Sequence, residues 1–204
     1  MLKRTTGRLL LTLLVVTGLA GTLNTSSLSP KERKQAINLI KNSRKQVLNS
    51  IEGLSSRQRK FKPSSHDLSI NELILLMTKK EKQCSEELRA FMNQPANSEN
   101  RLHIALTDEQ LLENDNYAVC KTDLQDINAT SWKDADEAIR KFSMLQNEHI
   151  KYIRTSTEDL RNHVIKTTAG WIDCYQYFLL LADQNNYFAE RINQVRSSKH
   201  FPKK

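Results

Sequence analysis

The sequence predicts an all-α protein built as a four-helix bundle, and three observations carry that expectation. Four segments place apolar residues at steps of three and four, the spacing of a single buried helical face. Glycine and proline number only 5 and 4 in 204 residues, too few for a protein rich in tight turns. Valine and threonine are scattered rather than alternating, so no sheet is expected. With 38% hydrophobic and 26% charged residues, the chain has the composition of a globular domain with a real core.

Residues 1–22 read as a signal peptide. Lys3, Arg4 and Arg8 form a charged start, residues 9–16 (LLLTLLVV) an apolar run, and Gly18, Ala20 and Gly21 a small-residue cleavage region. The run is about half of the ~20 residues that span a bilayer, so the membrane is met only during export. Thr22 stands where a lipoprotein would carry its lipidated cysteine. The expected location is therefore periplasmic or secreted, with cleavage after Ala20. Residues 23–28 form a short polar spacer, and residues 29–204 the folded domain.

Ser29-Pro30-Lys31-Glu32 is a capping box with proline in the first turn, so the first helix starts there and runs to Gly53. Ile37, Ile40, Val47, Leu48 and Ile51 mark its apolar side. Ser55 and Gln58 open a short second helix. Ser69 and Glu72 cap the next long one, which continues to about Met92, with Pro95 beyond it. Residues 97–130 form a long polar connection, in which Thr107 and Gln110 start one more short helix. The third long helix is expected over residues 131–162, with Ala138, Phe142, Leu145, His149 and Ile153 on its stripe. His149 reads as a core histidine rather than a ligand. After a break at 166–170 the last helix covers residues 172–195, burying Tyr175, Phe178, Leu179, Ala182, Phe188, Ile192 and Val195.

Three stretches together resemble the DinB-like family. They are Leu68-Ser69-Ile70-Asn71-Glu72 with Glu81, the run Glu158-Asp159-Leu160-Arg161-Asn162-His163, and Gly170 with Asp173, Tyr175 and Gln176 ahead of Phe201-Pro202. The resemblance implies an up-down-down-up four-helix bundle, with the long segment after the second long helix as the crossover. It also implies a metal held by one histidine of that helix and a His-x-x-x-His pair of the last, as in metal-dependent thiol transferases. Residues four apart share a helical face, so such a pair can grip one ion. Here the three matched positions are Leu76, Gln184 and Phe188. Leucine and phenylalanine have no lone pair to donate, and a neutral amide is a poor transition-metal ligand. Leu68 replaces the family's tryptophan, Tyr187 a common arginine, and His163 matches a histidine expected to be structural.

No other chemistry stands out. The five histidines lie far apart in sequence, and neither a phosphate loop nor a nucleophile elbow is present. Cys84, Cys120 and Cys174 carry no CxxC. If the last helix runs antiparallel to the one before the crossover, Cys84 and Cys174 come level, which makes them the expected disulfide should one form; three buried thiols are the equal alternative. Net charge is +8, but no helix gathers it on one face with aromatics, which excludes nucleic acid as the expected partner. The expected function is thus an exported, non-catalytic bundle without a cofactor. Its partner would be a small molecule, another protein, or a second copy in a homodimer. The alternative is a metal-dependent transferase holding zinc or nickel through substituted ligands, Gln184 with Asp183 or Glu72.

Overall fold

The structure is a computed structural model that describes residues 28–113, 132–167 and 170–203. The expected leader, most of the spacer and Cys120 lie outside the described residues. Four long helices form the body: α1 (Pro30–Ile51), α3 (Ile70–Met92), α5 (Ala135–Thr155) and α6 (Cys174–Arg196). Short elements join them: α2 (Ser56–Lys60), a 3-10 turn (Ser98–His103), α4 (Asp108–Leu112), and a hairpin of β1 (Val164–Thr167) and β2 (Gly170–Asp173).

Local chemistry sets the starts. Ser29/Glu32, Ser55/Gln58, Ser69/Glu72, Thr107/Gln110 and Asp173/Gln176 all close reciprocal capping boxes, each satisfying two otherwise orphaned backbone donors. Gly53, at φ +68°, lets the chain leave α1 in a conformation that other residues resist.

Side-chain contacts fix the directions of the long helices. Tyr175 Oη donates to the Glu32 carbonyl at one end and Arg196 Nη1 to the Ser50 carbonyl at the other, so α1 and α6 are parallel. Asn185 meets Glu81 and Tyr177 meets Glu87, so α6 and α3 are antiparallel. Thr78 bonds to Ala138, Gln146 to Glu81 and His149 to Ser85, which makes α3 and α5 parallel neighbours. The order is therefore up-down-down-up, and a parallel α3–α5 pair demands the long connection between them. α6 lies against both α1 and α3, with fifteen of its residues buried.

Two apolar clusters fill the interior. One gathers Ile40, Leu88, Ile153, Phe178 and Leu181 beneath the hairpin, and the other gathers Val47, Ile74, Leu76, Phe142 and Phe188. Among the described residues no helix is long and apolar enough to cross a membrane.

Two expectations are corrected. The third long helix begins at Ala135, capped by Asp134, and stops at Thr155, well short of residue 162. The chain then turns into the antiparallel hairpin, pairing Val164 with Asp173 and Thr167 with Gly170. Strands of four residues are too short to show alternation. They are also held from outside: Asn97 donates to the Val164 carbonyl (2.9 Å) and accepts from its N–H (2.7 Å), imitating a neighbouring strand.

Candidate functional site

The bundle interior holds a carboxyl group among amides. Glu81, midway along α3, has 0% of its surface exposed. Gln146 Nε2 donates to Glu81 Oε1 at 2.5 Å, and Asn185 Nδ2 donates to Oε2 at 3.1 Å. His149 Nδ1 lies 3.0 Å from Oε1, a close but bent contact that falls short of a well-directed hydrogen bond. On the other side of the ring, His149 Nε2 is 2.8 Å from Ser85 Oγ. Three helices thus contribute to one chain of polar atoms, Glu81–His149–Ser85, with Gln146 and Asn185 bracing its buried end.

Helical spacing makes this possible. Glu81 and Ser85 are four apart on α3, and Gln146 and His149 three apart on α5, so each pair shares a face. Phe178 of α6 sets its ring edge-on to His149, with centroids 5.6 Å apart, and fixes the imidazole plane.

Ser85 and His149 open onto a groove between α3 and α5, with a volume of about 430 Å³. Leu88, Met92, Tyr152 and Phe178 supply its apolar wall, while Arg89 and Lys151 stand at the rim. Tyr152 hydrogen-bonds Glu158 across one end. Burial and that carboxylate hold the phenol well above its ordinary range, so it stays a hydrogen-bond donor.

The positions singled out in the sequence lie elsewhere. Leu76 and Phe188 are both buried in the same apolar cluster. Gln184 is buried too, and neither its amide nitrogen nor its oxygen finds a hydrogen-bond partner among the described residues. This donor set does not fit a transition metal: two of the three positions are hydrocarbon. Among the described residues no cluster of three or more His, Cys, Asp or Glu is arranged to hold one. Nor does Glu72 stand ready as a substitute. Its carboxylate caps α3 and pairs with Lys62 at 2.7 Å. Burial works against the charge there, but the Lys62 and Ser69 hydrogen bonds outweigh it and lower the pKa.

Cys84 and Cys174 are buried thiols, and no bridge joins them. Cys174 is pinned at the head of α6, its N–H shared between the Leu160 and His163 carbonyls. Burial first, and then the Asp173 charge, push its thiol up to about 12.

A second polar centre ties the hairpin to the bundle. The Arg161 guanidinium bonds Glu32, Asp108 and Asp173 at 2.6–3.0 Å and lies 4.1 Å over the Tyr175 ring. The nearby His163 ring nitrogens contact the Asp159 and Gln94 carbonyls at 2.8 and 3.0 Å, a structural role.

In the sequence His149 reads only as core and Glu81 enters only through the family resemblance, while Ser85, Gln146 and Asn185 were missed. A signal was present: polar residues falling inside apolar stripes, Glu81 between Met77 and Cys84, and Gln146 beside Leu145.

No family model matches the chain, and no curated protein matches it in sequence. A solved structure does match in shape. It is YfiT from Bacillus subtilis, described as a probable metal-dependent hydrolase with an unusual four-helix bundle topology. The match covers 83% of this chain and 89% of that one, with a TM-score of 0.59 at 8% sequence identity. At that identity the likeness is one of fold, and it supports the DinB-like bundle that the sequence resemblance implies.

Proposed function

We propose that the protein is an exported bundle that binds a small molecule in the α3–α5 groove, without metal-dependent chemistry at Leu76, Gln184 and Phe188. One observation carries this reading: an amphipathic groove of about 430 Å³ lined by Ser85 and His149, with the buried Glu81 behind the imidazole. Its volume lies within the roughly 300–1,000 Å³ of small-molecule sites. A buried carboxylate–imidazole pair is no better for stability than well-packed hydrocarbon, and often worse, so packing gives no reason for it. A few convergent polar groups in a largely apolar groove are the marks of a binding site. The metal dependence in the description of YfiT is said of YfiT alone, and two of the three positions that the sequence resemblance matches to ligands, Leu76 and Phe188, are hydrocarbon.

Fluorescence titration with 1-anilinonaphthalene-8-sulfonate, an apolar aromatic anion, tests the reading on tag-free protein lacking residues 1–20. One saturable site is expected, weakened about tenfold or more by Thr155→Trp at the groove rim. No saturable binding, or binding indifferent to that substitution, would overturn it. After dialysis against zinc and nickel, one equivalent of metal lost on changing Gln184 would restore the transferase alternative.

A further inference from the structure

We propose that the same groove carries out covalent chemistry: Ser85 is a nucleophile toward carboxylic esters with an apolar acyl group, and His149 is its base. The inference rests on the binding reading for the groove itself, and on the polar chain for the reaction.

A serine hydroxyl needs a base within hydrogen-bond reach, and the base needs a third group to orient it. Ser85 Oγ lies 2.8 Å from His149 Nε2, and His149 Nδ1 lies 3.0 Å from Glu81 Oε1. Nδ1 faces the carboxylate across that bent contact, and the proposed reaction straightens it into a hydrogen bond, with Nε2 left as the acceptor. The hydroxyl also reaches the Glu81 carbonyl at 2.7 Å. That carbonyl already accepts a helical N–H, so the hydroxyl hydrogen can turn to the imidazole without orphaning it. Gln146 and Asn185 hold both carboxylate oxygens, and Phe178 holds the ring. Glu81 is a positioning residue, acting through His149. Ser85 is half-buried and lines the groove, so an ester can reach it.

The reaction balances without a further reagent. Ser85 Oγ bonds to the carbonyl carbon while its proton passes to His149 Nε2. The carbon–oxygen bond to the alcohol breaks, and the alcohol leaves with that proton. Water then adds by the same route, releasing the acid and restoring Ser85. Arg89, one helical turn beyond Ser85 on the same face, supplies N–H donors to the oxyanion. Leu88, Met92 and Phe178 receive the acyl group.

The test is labelling by an alkyl fluorophosphonate, mapped by peptide mass spectrometry, with p-nitrophenyl butyrate hydrolysis alongside. The expected result is one modification per chain, on Ser85, absent in Ser85→Ala and slowed about 10²-fold or more in His149→Gln. Glu81→Gln should slow labelling about tenfold or more while the anilinonaphthalene sulfonate affinity stays unchanged. A merely structural role would weaken both together. Labelling that is absent, or undiminished in Ser85→Ala, while the anilinonaphthalene sulfonate titration remains intact, overturns the chemistry and leaves the binding reading standing. Loss of both signals overturns both readings.

Discussion

Removing the Arg161 guanidinium should open the joint between hairpin and bundle. In Arg161→Leu, five N–H···O contacts disappear, and Glu32, Asp108 and Asp173 are left facing one another. Breaking one side of a buried ion pair costs about 3–5 kcal/mol. Only Asp173 is fully sequestered, with 2% of its side chain exposed, while Glu32 and Asp108 keep 26% and 17%. Solvent screening of those two lowers the expectation to about 2–4 kcal/mol. At roughly 2–4 °C per kcal/mol for a domain of this size, Tm should fall by about 5–15 °C. The pH dependence gives the sign. Burial raises the Asp173 pKa against the opposing pull of Arg161, so its ionisation costs stability, a cost fully present above the folded pKa and relieved as pH falls through the unfolded one. Without Arg161 that pKa rises further, and the added cost is present at neutral pH and relieved as pH falls through the carboxylate range. Glu32 behaves oppositely in the wild type: despite burial, the Ser29 and Arg161 bonds lower its pKa, and the stability it gives is lost toward acid. Wild type and variant should therefore converge near pH 4. Calorimetry at pH 7 and pH 4 checks this. A loss under 1 kcal/mol, or an equal loss at both pH values, would refute the reasoning.

Phe188→Ala should cost about 3–5 kcal/mol in denaturant unfolding, because the ring is 2% exposed inside the second apolar cluster. Gln184→Leu should do the reverse, raising stability by about 1–3 kcal/mol as two unsatisfied buried atoms disappear; a loss would mean that the amide has a use. Cys174 should react with a maleimide only on the timescale of unfolding, given its burial and its raised pKa. Rapid labelling of the folded protein would contradict its placement. N-terminal sequencing of material from the producing cell should begin near Gly21, and an intact Met1 in the cytosol would remove the export expectation.

The starts of α1, α2, α3 and α4 were legible because a capping box is local: serine or threonine and the residue three places on complete it without help from the rest of the chain. Helix directions came from the resemblance, and Thr78, Glu81 and Ser85 on α3 meeting Ala138, Gln146 and His149 on α5 now support them. The end of α5 was less legible, since the Ile153 and Ser156 carbonyls there accept from Arg33 of α1, a tertiary contact that a local pattern does not show. The buried chain escaped notice because counting apolar residues along a stripe passes over polar ones lying inside it. For Cys84 and Cys174, level along two helices left a disulfide and buried thiols equally open, and the structure has them as buried thiols.

The parallel contact between α3 and α5 has a consequence for uniqueness. Two apolar helices packed side by side can slide past one another by a turn, about 5.4 Å, and still bury much the same area. Here such a slip would carry Glu81 away from Gln146 and His149. In one direction it would meet Phe142 and Leu145, and in the other Ile150 and Ile153, all of them buried hydrocarbon. A carboxylate stripped of its amide and imidazole partners in that setting is far costlier than a repacked leucine. The polar chain therefore acts as a detent that admits one axial alignment of the two helices, whatever chemistry it also performs.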